Sequence, residues 1–313
     1  MLATLLQLLG SSDLIYATLR LTTPLLFAAL GGLMCERAGV LNIGLEGLML
    51  GGALAAYLTA LATGSPWLGV LAAALAGLLA ALLFAVAVVT LRANQIVAAV
   101  GLNILMLGLT GVLLRSAMGF AAGQNPAPTI PLWKVPLLGD LPGLGPVLFD
   151  HLPFVYLVFA LVGVTAFIFY RTTWGLAIRA VGEHPHAAAA AGIRVMRVRY
   201  LTLLWSGCMA GIGGALLSIG YLNTFQEGMT AGRGFIAFSA IILGRWTPLG
   251  TMLASLLFGF ADALQLRIQA FGAAIPYQFL VMLPYVVTLF ALFGARRSRG
   301  PAASGVTYVA GEG

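Results

Sequence analysis

Long apolar stretches, separated by short polar or glycine-containing segments, dominate the pattern of this chain. A membrane-spanning helix needs about 20 mostly apolar residues, and these stretches lack the strict alternation of barrel strands. The pattern therefore predicts an all-α, polytopic transmembrane helix bundle of about 8–10 helices, one of them short or broken. The nine stretches cover approximately residues 14–35, 41–63, 66–90, 94–116, 152–171, 200–222, 234–244, 248–268 and 274–294.

The composition of the chain excludes an ordinary soluble domain. Of its 313 residues, 61% are hydrophobic and only 8% are charged, and the mean hydropathy is +1.02. Soluble domains are about 25% charged. The net charge of +7 does not indicate nucleic-acid binding, because the basic residues lie between apolar stretches, where they orient a membrane protein. Cys35 and Cys208 lie within or beside apolar stretches and indicate no disulfide framework.

The distribution of Lys and Arg predicts how the chain is oriented. Placing the arginine-rich loop 172–199 in the cytoplasm puts eleven basic residues inside and five outside, with the N-terminus outside and the C-terminus inside. The predicted organisation is an interfacial N-terminal segment 1–13, a transmembrane domain 14–294 and a flexible cytoplasmic tail 295–313. Within the transmembrane domain, the Pro- and Gly-rich loop 117–151 is expected to be extracytoplasmic.

The loop between the fifth and sixth stretches predicts a docking helix for another protein. Gly182 is expected to end one helix and Glu183 to begin the next, since a first helical turn tolerates proline and favours an acidic residue. The alanine-rich run from His186 to Ala191 then forms a helix with almost no side-chain bulk, and Gly192 ends it. A short, smooth helix suits a groove on a partner. An ordinary surface loop, the alternative, leaves the alanine run unexplained.

Residue patterns for catalysis and metal binding are missing from the sequence. His184 and His186 lack a nearby third ligand for a metal. No glycine-rich phosphate loop ending in lysine occurs, and Ser206 has no histidine within the membrane to activate it. We therefore predict a protein that is not an enzyme, has no ATPase site of its own, and needs no cofactor or metal.

Polar side chains inside the apolar stretches are the candidates for a transport pathway. Glu46 is predicted to lie about one turn from the inner surface, within reach of water, whereas Asp262 lies about 14 residues into its stretch, roughly 21 Å deep. Asn42, Asn103 and Gln226 complete this candidate set. The alternative for Asp262 is a structural hydrogen bond to a neighbouring helix, and a hydrogen bond between helices is the more common role for Asn42, Asn103 and Gln226.

Two interruptions of the apolar pattern resemble each other. A glycine-containing helix, a basic break and a glycine-started helix with one acidic residue follow one another around residues 36–46, and again around residues 244–262. Interrupted helices in matching halves often mark a transport pathway, although ordinary loop punctuation is the alternative. Closely spaced glycines, such as Gly207 and Gly211, further favour helices packed in close contact.

Three blocks of residues resemble a known family. The run from Arg179 to Ile193, RAVGEHPHAAAAAGI, is similar to the coupling-helix segment of bacterial ABC importer permeases of the branched-chain amino acid and sugar type. The blocks 23–47 and 234–250 resemble the nucleoside (purine and simple-sugar) branch of these permeases, and the likeness extends over most of the chain. His184 stands where the family's Gly-Glu-Asn-Pro pattern has asparagine, which is an exchange at the surface.

The resemblance implies the transmembrane permease subunit of an ATP-binding cassette importer in the bacterial inner membrane, transporting nucleosides or related small polar solutes. It implies three kinds of partner: cytoplasmic ABC ATPase subunits, a second homologous permease subunit, and an extracytoplasmic substrate-binding lipoprotein. Sugars or branched-chain amino acids are alternative substrates. A secondary transporter or channel is the alternative mechanism, for which only Asp262 is a deep ionisable candidate. The residues that the resemblance places in the ATPase-coupling segment are Gly182, Glu183, His184, Pro185, Ala187, Ala188, Ala191, Gly192 and Ile193.

Overall fold

The computed structural model describes residues 12–119, 125–136, 139, 145–270, 282, 286 and 300–309. Most of this part of the chain is helical, as the apolar pattern predicts. The elements in chain order are α1 (Ser12–Arg37), α2 (Leu45–Thr63), α3 (Pro66–Ala85) with a π-helical continuation (Val86–Thr90), α4 (Gln95–Met118), β1 (Trp133–Lys134), α5 (Gly145–Leu148), β2 (Asp150–His151), α6 (Pro153–Arg171), α7 (Thr173–Glu183), α8 (Pro185–Ala190), α9 (Val195–Ala215) with a π-helical continuation (Leu216–Leu222), α10 (Arg233–Leu243) and α11 (Pro248–Ala270).

Among the described residues, seven helices are long and apolar enough to cross a membrane: α1, α2, α3 and α9 with their continuations, α4, α6 and α11. The predicted all-α, multi-pass bundle is therefore confirmed, and each of the first eight apolar stretches corresponds to one helix. The seventh stretch is short in the structure too, since α10 has 11 residues. The ninth stretch, 274–294, and the N-terminal segment 1–13 lie almost wholly outside the described residues.

Contacts between α1 and α9 show the relative direction of these two spans. The side chain of Arg20, near the start of α1, donates to the carbonyl oxygen of Tyr221, near the end of α9 (3.4 Å). Further along α1, Gly31 lies against Ser206 in the middle of α9. The two helices are therefore antiparallel, as expected for a chain that crosses a membrane back and forth.

Helices at the centre of the bundle touch backbone to backbone at glycine. A Cβ on Gly77 of α3 would overlap the carbonyl oxygen of Gly207 of α9, and a Cβ on Gly211 would overlap the carbonyl oxygen of Ala73. The glycine spacing that predicted close helix contact thus faces α3. Because no side chains intervene, the two backbones gain dispersion contacts that larger residues would prevent.

The loop 117–151 has a small structured part that lies against the bundle. β1 and β2 pair antiparallel, with Trp133 opposite His151. The buried His151 ring stacks on Tyr16 with 4.4 Å between ring centroids, and its Nε2 lies 2.8 Å from the carbonyl oxygen of Val147. Burial lowers the pKa of His151 from its ordinary value of 6.5, because the imidazolium form would lose hydration. The stacking and the hydrogen bond of this ring therefore hold the loop against the bundle.

Residues 300–309, which we call the C-terminal segment, are folded against one end of the bundle. Pro301 and Ala303 are buried, and the backbone N–H of Ala303 donates to the carbonyl oxygen of Gly182 (2.9 Å). The sequence predicted a flexible tail over residues 295–313. This part of it is packed instead, because its small residues allow the backbone to approach neighbouring chain closely.

Candidate functional site

The segment that the sequence predicts to dock a partner, called the docking segment below, consists of α7, the single residue His184 and α8. The first helix runs past Gly182 and ends one residue later, so the prediction that Gly182 ends a helix is wrong. The break falls at His184, which has φ −141° and ψ 84°, because a residue before proline avoids the helical conformation. Pro185 then occupies the first position of α8, where its missing N–H costs no helical hydrogen bond.

Gly182 and Gly192, the two glycines of the predicted coupling set, have different structural roles. A Cβ on Gly182 would overlap the carbonyl oxygen of Arg37, the last residue of α1, so the docking segment rests directly on the end of α1. Gly192 terminates α8 as predicted. Its φ is +86°, a conformation that favours glycine, and its N–H donates to the carbonyl oxygen of Ala189 (2.9 Å).

One face of the docking segment is open. Three residues of the predicted coupling set, Gly182, Pro185 and Ala188, are buried within this chain, and Ile193 is half-buried. The open face carries few large side chains, so its backbone is accessible. The exposed residues of this face are Glu183, His184, His186, Ala187, Ala190, Ala191 and Gly192.

The chain between α1 and α2 runs back along α4 before it becomes helical. The backbone N–H of Leu41 donates to Oε1 of Gln95, the first residue of α4 (2.8 Å). The N–H of Gly47 donates to Oδ1 of Asn103 (2.8 Å), whose Nδ2 donates to the carbonyl oxygen of Ile43 (3.1 Å). Gln95 and Asn103 are separated by eight positions on one helix, so α2 begins roughly 12 Å further into the bundle than α4.

Glu46 caps the short helix α10. Its Oε1 accepts the backbone N–H of Gly232 (2.8 Å) and its Oε2 accepts that of Gly234 (2.7 Å). Gly234 lacks a side chain where a Cβ would overlap the Glu46 backbone. The carboxylate thus meets the positive end of the helix dipole. Relative to the start of α4, Glu46 lies roughly 12 Å further into the bundle, and its distance from the inner surface stays a prediction.

A buried polar cluster joins the chain break before α2 to the break before α11, and sequence reasoning missed its central residue, Glu36. Its Oε1 accepts the backbone N–H of Asn42 (3.1 Å) and its Oε2 accepts the indole N–H of Trp246 (3.4 Å). Nδ2 of Asn42 donates to Oγ of Ser206 (2.9 Å), and Nε of Arg37 donates to the carbonyl oxygen of Trp246 (2.6 Å). The one available signal was an acidic residue beside an arginine in a predicted break.

The predicted pathway residues separate into groups. Asn42 is fully buried and belongs to the Glu36 cluster. Glu46, in the first turn of α2, and Asn103, on the adjacent helix α4, are half-exposed neighbours. Gln226 is exposed in the segment before α10, and Asp262 is half-buried on α11, within electrostatic range of Arg233. Only Glu46 and Asn103 are thus brought close together by the described contacts.

Among the described residues, no group of His, Cys, Asp or Glu side chains is arranged to hold a metal ion.

Known proteins resemble this chain over most of its length. The family described as branched-chain amino acid transport system / permease component matches residues 14–292. The guanosine ABC transporter permease protein NupQ of Bacillus subtilis is 39% identical, with 96% of this chain and 98% of that protein covered. The nucleoside ABC transporter permease protein NupC of Lactococcus lactis is 38% identical, with 97% of both covered. A putative glucose ABC transporter permease protein of Haloferax volcanii is 38% identical, with 85% of this chain and 80% of that protein covered. No solved structure matches.

Proposed function

The chain belongs to the permease family of branched-chain amino acid transport systems, and on this premise we propose that it is the membrane-spanning subunit of an ABC importer for nucleosides. The observation that carries the substrate class is the near full-length similarity to the guanosine permease NupQ and the nucleoside permease NupC. The chain contributes the pathway and contains no ATPase site, so ATP hydrolysis takes place in separate subunits. It is a multi-pass protein of the bacterial inner membrane.

The proposed orientation places the docking segment and the C-terminus in the cytoplasm. The excess of arginine around α7 and α8 supports it, because basic residues favour the cytoplasmic side. The loop 117–151 and the N-terminus then lie outside. An ABC ATPase subunit binds the open face of the docking segment, a lipoprotein delivers substrate from outside, and a second homologous permease completes the pathway.

Transport follows from a difference in how the partners stabilise two states of the pathway. Movement of the ATPase displaces the docking segment, which presses through Gly182 on the end of α1. Arg37 and Glu36 pass this displacement to Trp246 at the break before α11. The short helix α10 precedes that break, and it is capped by Glu46, which follows the break before α2. In this proposal the two breaks therefore move together.

Glu46, Asn103, Gln226 and Asp262 are proposed to lie along the pathway. None of these four is fully buried in this chain, which leaves part of each side chain available to water, substrate or a second permease. Asn42 has a structural role in this proposal, since its side chain is fully buried in the Glu36 cluster.

Sugar transport is the second candidate, because the putative glucose permease of Haloferax volcanii is 38% identical to this chain. Reconstitution in proteoliposomes, with the ATPase, the second permease and the binding lipoprotein, distinguishes the candidates. We expect uptake of labelled guanosine that requires ATP and stops when the ATPase carries a phosphate-loop Lys→Ala change. ATP-dependent uptake of glucose without guanosine would favour the sugar importer. Guanosine uptake driven by an ion gradient without the ATPase would contradict an ABC importer.

A further inference from the structure

The C-terminal segment lies beyond the part of the chain that the family matches, which ends at residue 292. It nevertheless forms backbone hydrogen bonds and buried contacts with the region where the docking segment meets the bundle. A tail that served only to end the chain would need no such contacts, because ordering a residue costs about 1–2 kcal/mol in backbone entropy.

On one side the C-terminal segment binds the docking segment. The N–H of Ala303 donates to the carbonyl oxygen of Gly182 (2.9 Å), and the N–H of Ala302 donates to Oε2 of Glu183 (3.3 Å). The ring of Tyr308 lies 5.1 Å from that of His186, between centroids. These contacts join the C-terminal segment to the end of α7 and the start of α8.

On the other side the C-terminal segment binds the bundle close to both chain breaks. Ala303 packs on Gly39, and Gly305 packs on Leu41, both in the break before α2. At its start, Gly300 lies against the indole ring of Trp246, in the break before α11. The segment therefore spans the gap between the docking segment and the two places where the transmembrane helices are interrupted.

The side chain of Arg199 in α9 also binds the C-terminal segment. Its side chain is only 2% exposed, and its Nη1 donates to the carbonyl oxygen of Val306 (3.0 Å). Within the described part of the chain, its Nε and Nη2 have no hydrogen-bond partner. A buried guanidinium with few partners is costly, so loss of the Val306 carbonyl would leave this charge without its described bond and open the packing around it.

We propose that the C-terminal segment is a brace that makes the docking segment and the two chain breaks move as one body. The inference rests on the proposed function, since it assigns the segment to force transmission from an ATPase. Without the brace, the docking segment contacts the bundle through Gly182 on α1 and Gly175 on α6, and it loses the link to the chain breaks that Gly300 and Gly305 provide. Motion of the ATPase would then be partly lost in movement of α7 and α8 relative to the breaks.

The first test removes or displaces the brace. A chain ending at residue 299 and the variant Ala303→Trp, whose indole cannot fit a site that is 6% exposed, are compared with Thr307→Trp at an exposed position. We expect normal amounts of all three in the membrane and, for the first two, about tenfold lower uptake per ATP hydrolysed, the effect of losing one or two hydrogen bonds. Uptake per ATP equal to or above that of the unchanged chain would overturn the brace, an increase indicating an inhibitory cover.

The second test asks whether the segment stays in place during transport. Leu41→Cys and Gly305→Cys, at positions that meet in the break before α2 and away from the docking face, are combined in a chain with Cys35→Ala and Cys208→Ala, and joined by a short cleavable bismaleimide. Efficient cross-linking that leaves uptake equal to that of the same chain before cross-linking supports a permanent brace. Loss of uptake that returns on cleavage would refute it, since the segment would then have to detach, and absence of cross-linking would also refute it.

Failure of the proposed function gives a different pattern. Hydrogen exchange of residues 183–190 needs no substrate, and we expect it to be faster in the chain ending at residue 299 than in the full chain. If the unchanged complex takes up no nucleoside but this difference and the cross-link persist, the nucleoside assignment fails while the brace stands. Equal exchange in both chains would overturn the brace whatever the substrate.

Discussion

Glu46→Gln removes the charge that caps α10 while keeping the size of the side chain. The carboxylate accepts two backbone N–H groups at 2.8 and 2.7 Å. Glutamine has one acceptor oxygen, so its NH2 group must face one of these two donors, and the attraction to the helix dipole is lost as well. Hydrogen bonds to a charged group contribute about 1.5–3 kcal/mol each, and the dipole adds up to about 1 kcal/mol.

The expected loss is therefore about 2–3 kcal/mol of folding free energy, reduced from the sum because the Glu46 side chain is half-exposed. At roughly 2 °C per kcal/mol for a chain of this size, the Tm falls by about 4–6 °C. The assay is thermal unfolding of the purified complex in lipid nanodiscs, followed by the loss of monodisperse protein. Guanosine uptake is measured on the same preparations.

Glu227→Gln is the matched control, because it neutralises an acidic residue whose carboxylate pairs with Arg115 at 2.9 Å on an exposed surface. An exposed pair contributes less than about 1 kcal/mol, so its Tm changes by no more than about 2 °C. Equal shifts for the two variants would refute the capping role of Glu46. Loss of uptake by Glu46→Gln with an unchanged Tm would refute it too, and would identify Glu46 as a substrate contact.

Three further perturbations test the packing, the docking face and the outer loop. Gly77→Leu should prevent folding of the bundle, because the new side chain would overlap the α9 backbone. Gly101→Leu, at a position with open space around it, should leave the yield and the elution of the protein unchanged. Equal yields of the two variants would contradict the backbone contact. Ala187→Trp on the exposed face of α8 should lower ATP-driven uptake at least tenfold by blocking a partner, while Ala187→Ser should not, and normal uptake by both would contradict docking there. Because the pKa of His151 is lowered by burial, stability should be full above pH 6.5 and should fall as the pH drops below it; His151→Gln should lose this dependence in Tm measurements at pH 7.5 and 5.5, and an unaltered dependence would assign it to another group.

The transmembrane architecture could be predicted from the sequence because membrane thickness sets helix length. An apolar stretch of about 20 residues has few structural options in a bilayer, and the helices match the first eight stretches closely. The short helix α10 was also predictable, since the residues between Gly234 and Gly244 are too few to span a membrane. The alanine-rich helix after Pro185 was also predictable, because proline and glycine mark its ends in local sequence.

The depth of Glu46 relative to the start of α4 and the role of Gly182 were decided only by the tertiary structure. Hydropathy does not show that the chain before α2 runs back along α4, because Val40, Leu41 and Ile43 are apolar in either arrangement. Likewise, a glycine near a helix end predicts a helix break in the sequence. In the structure, Gly182 instead allows the backbone of α1 to lie in close contact, because it has no side chain.

The sequence by itself determined which segments cross the membrane, since that depends on the transfer of each segment from water to lipid. Only the tertiary structure decided which polar groups contact one another within the helix bundle. Glu36 with Trp246, Glu46 with Gly234, and the C-terminal segment with Arg199 join positions far apart in the chain. Their pairing depends on how helices pack, and packing is fixed by contacts between distant residues rather than by the hydrophobicity of any one stretch.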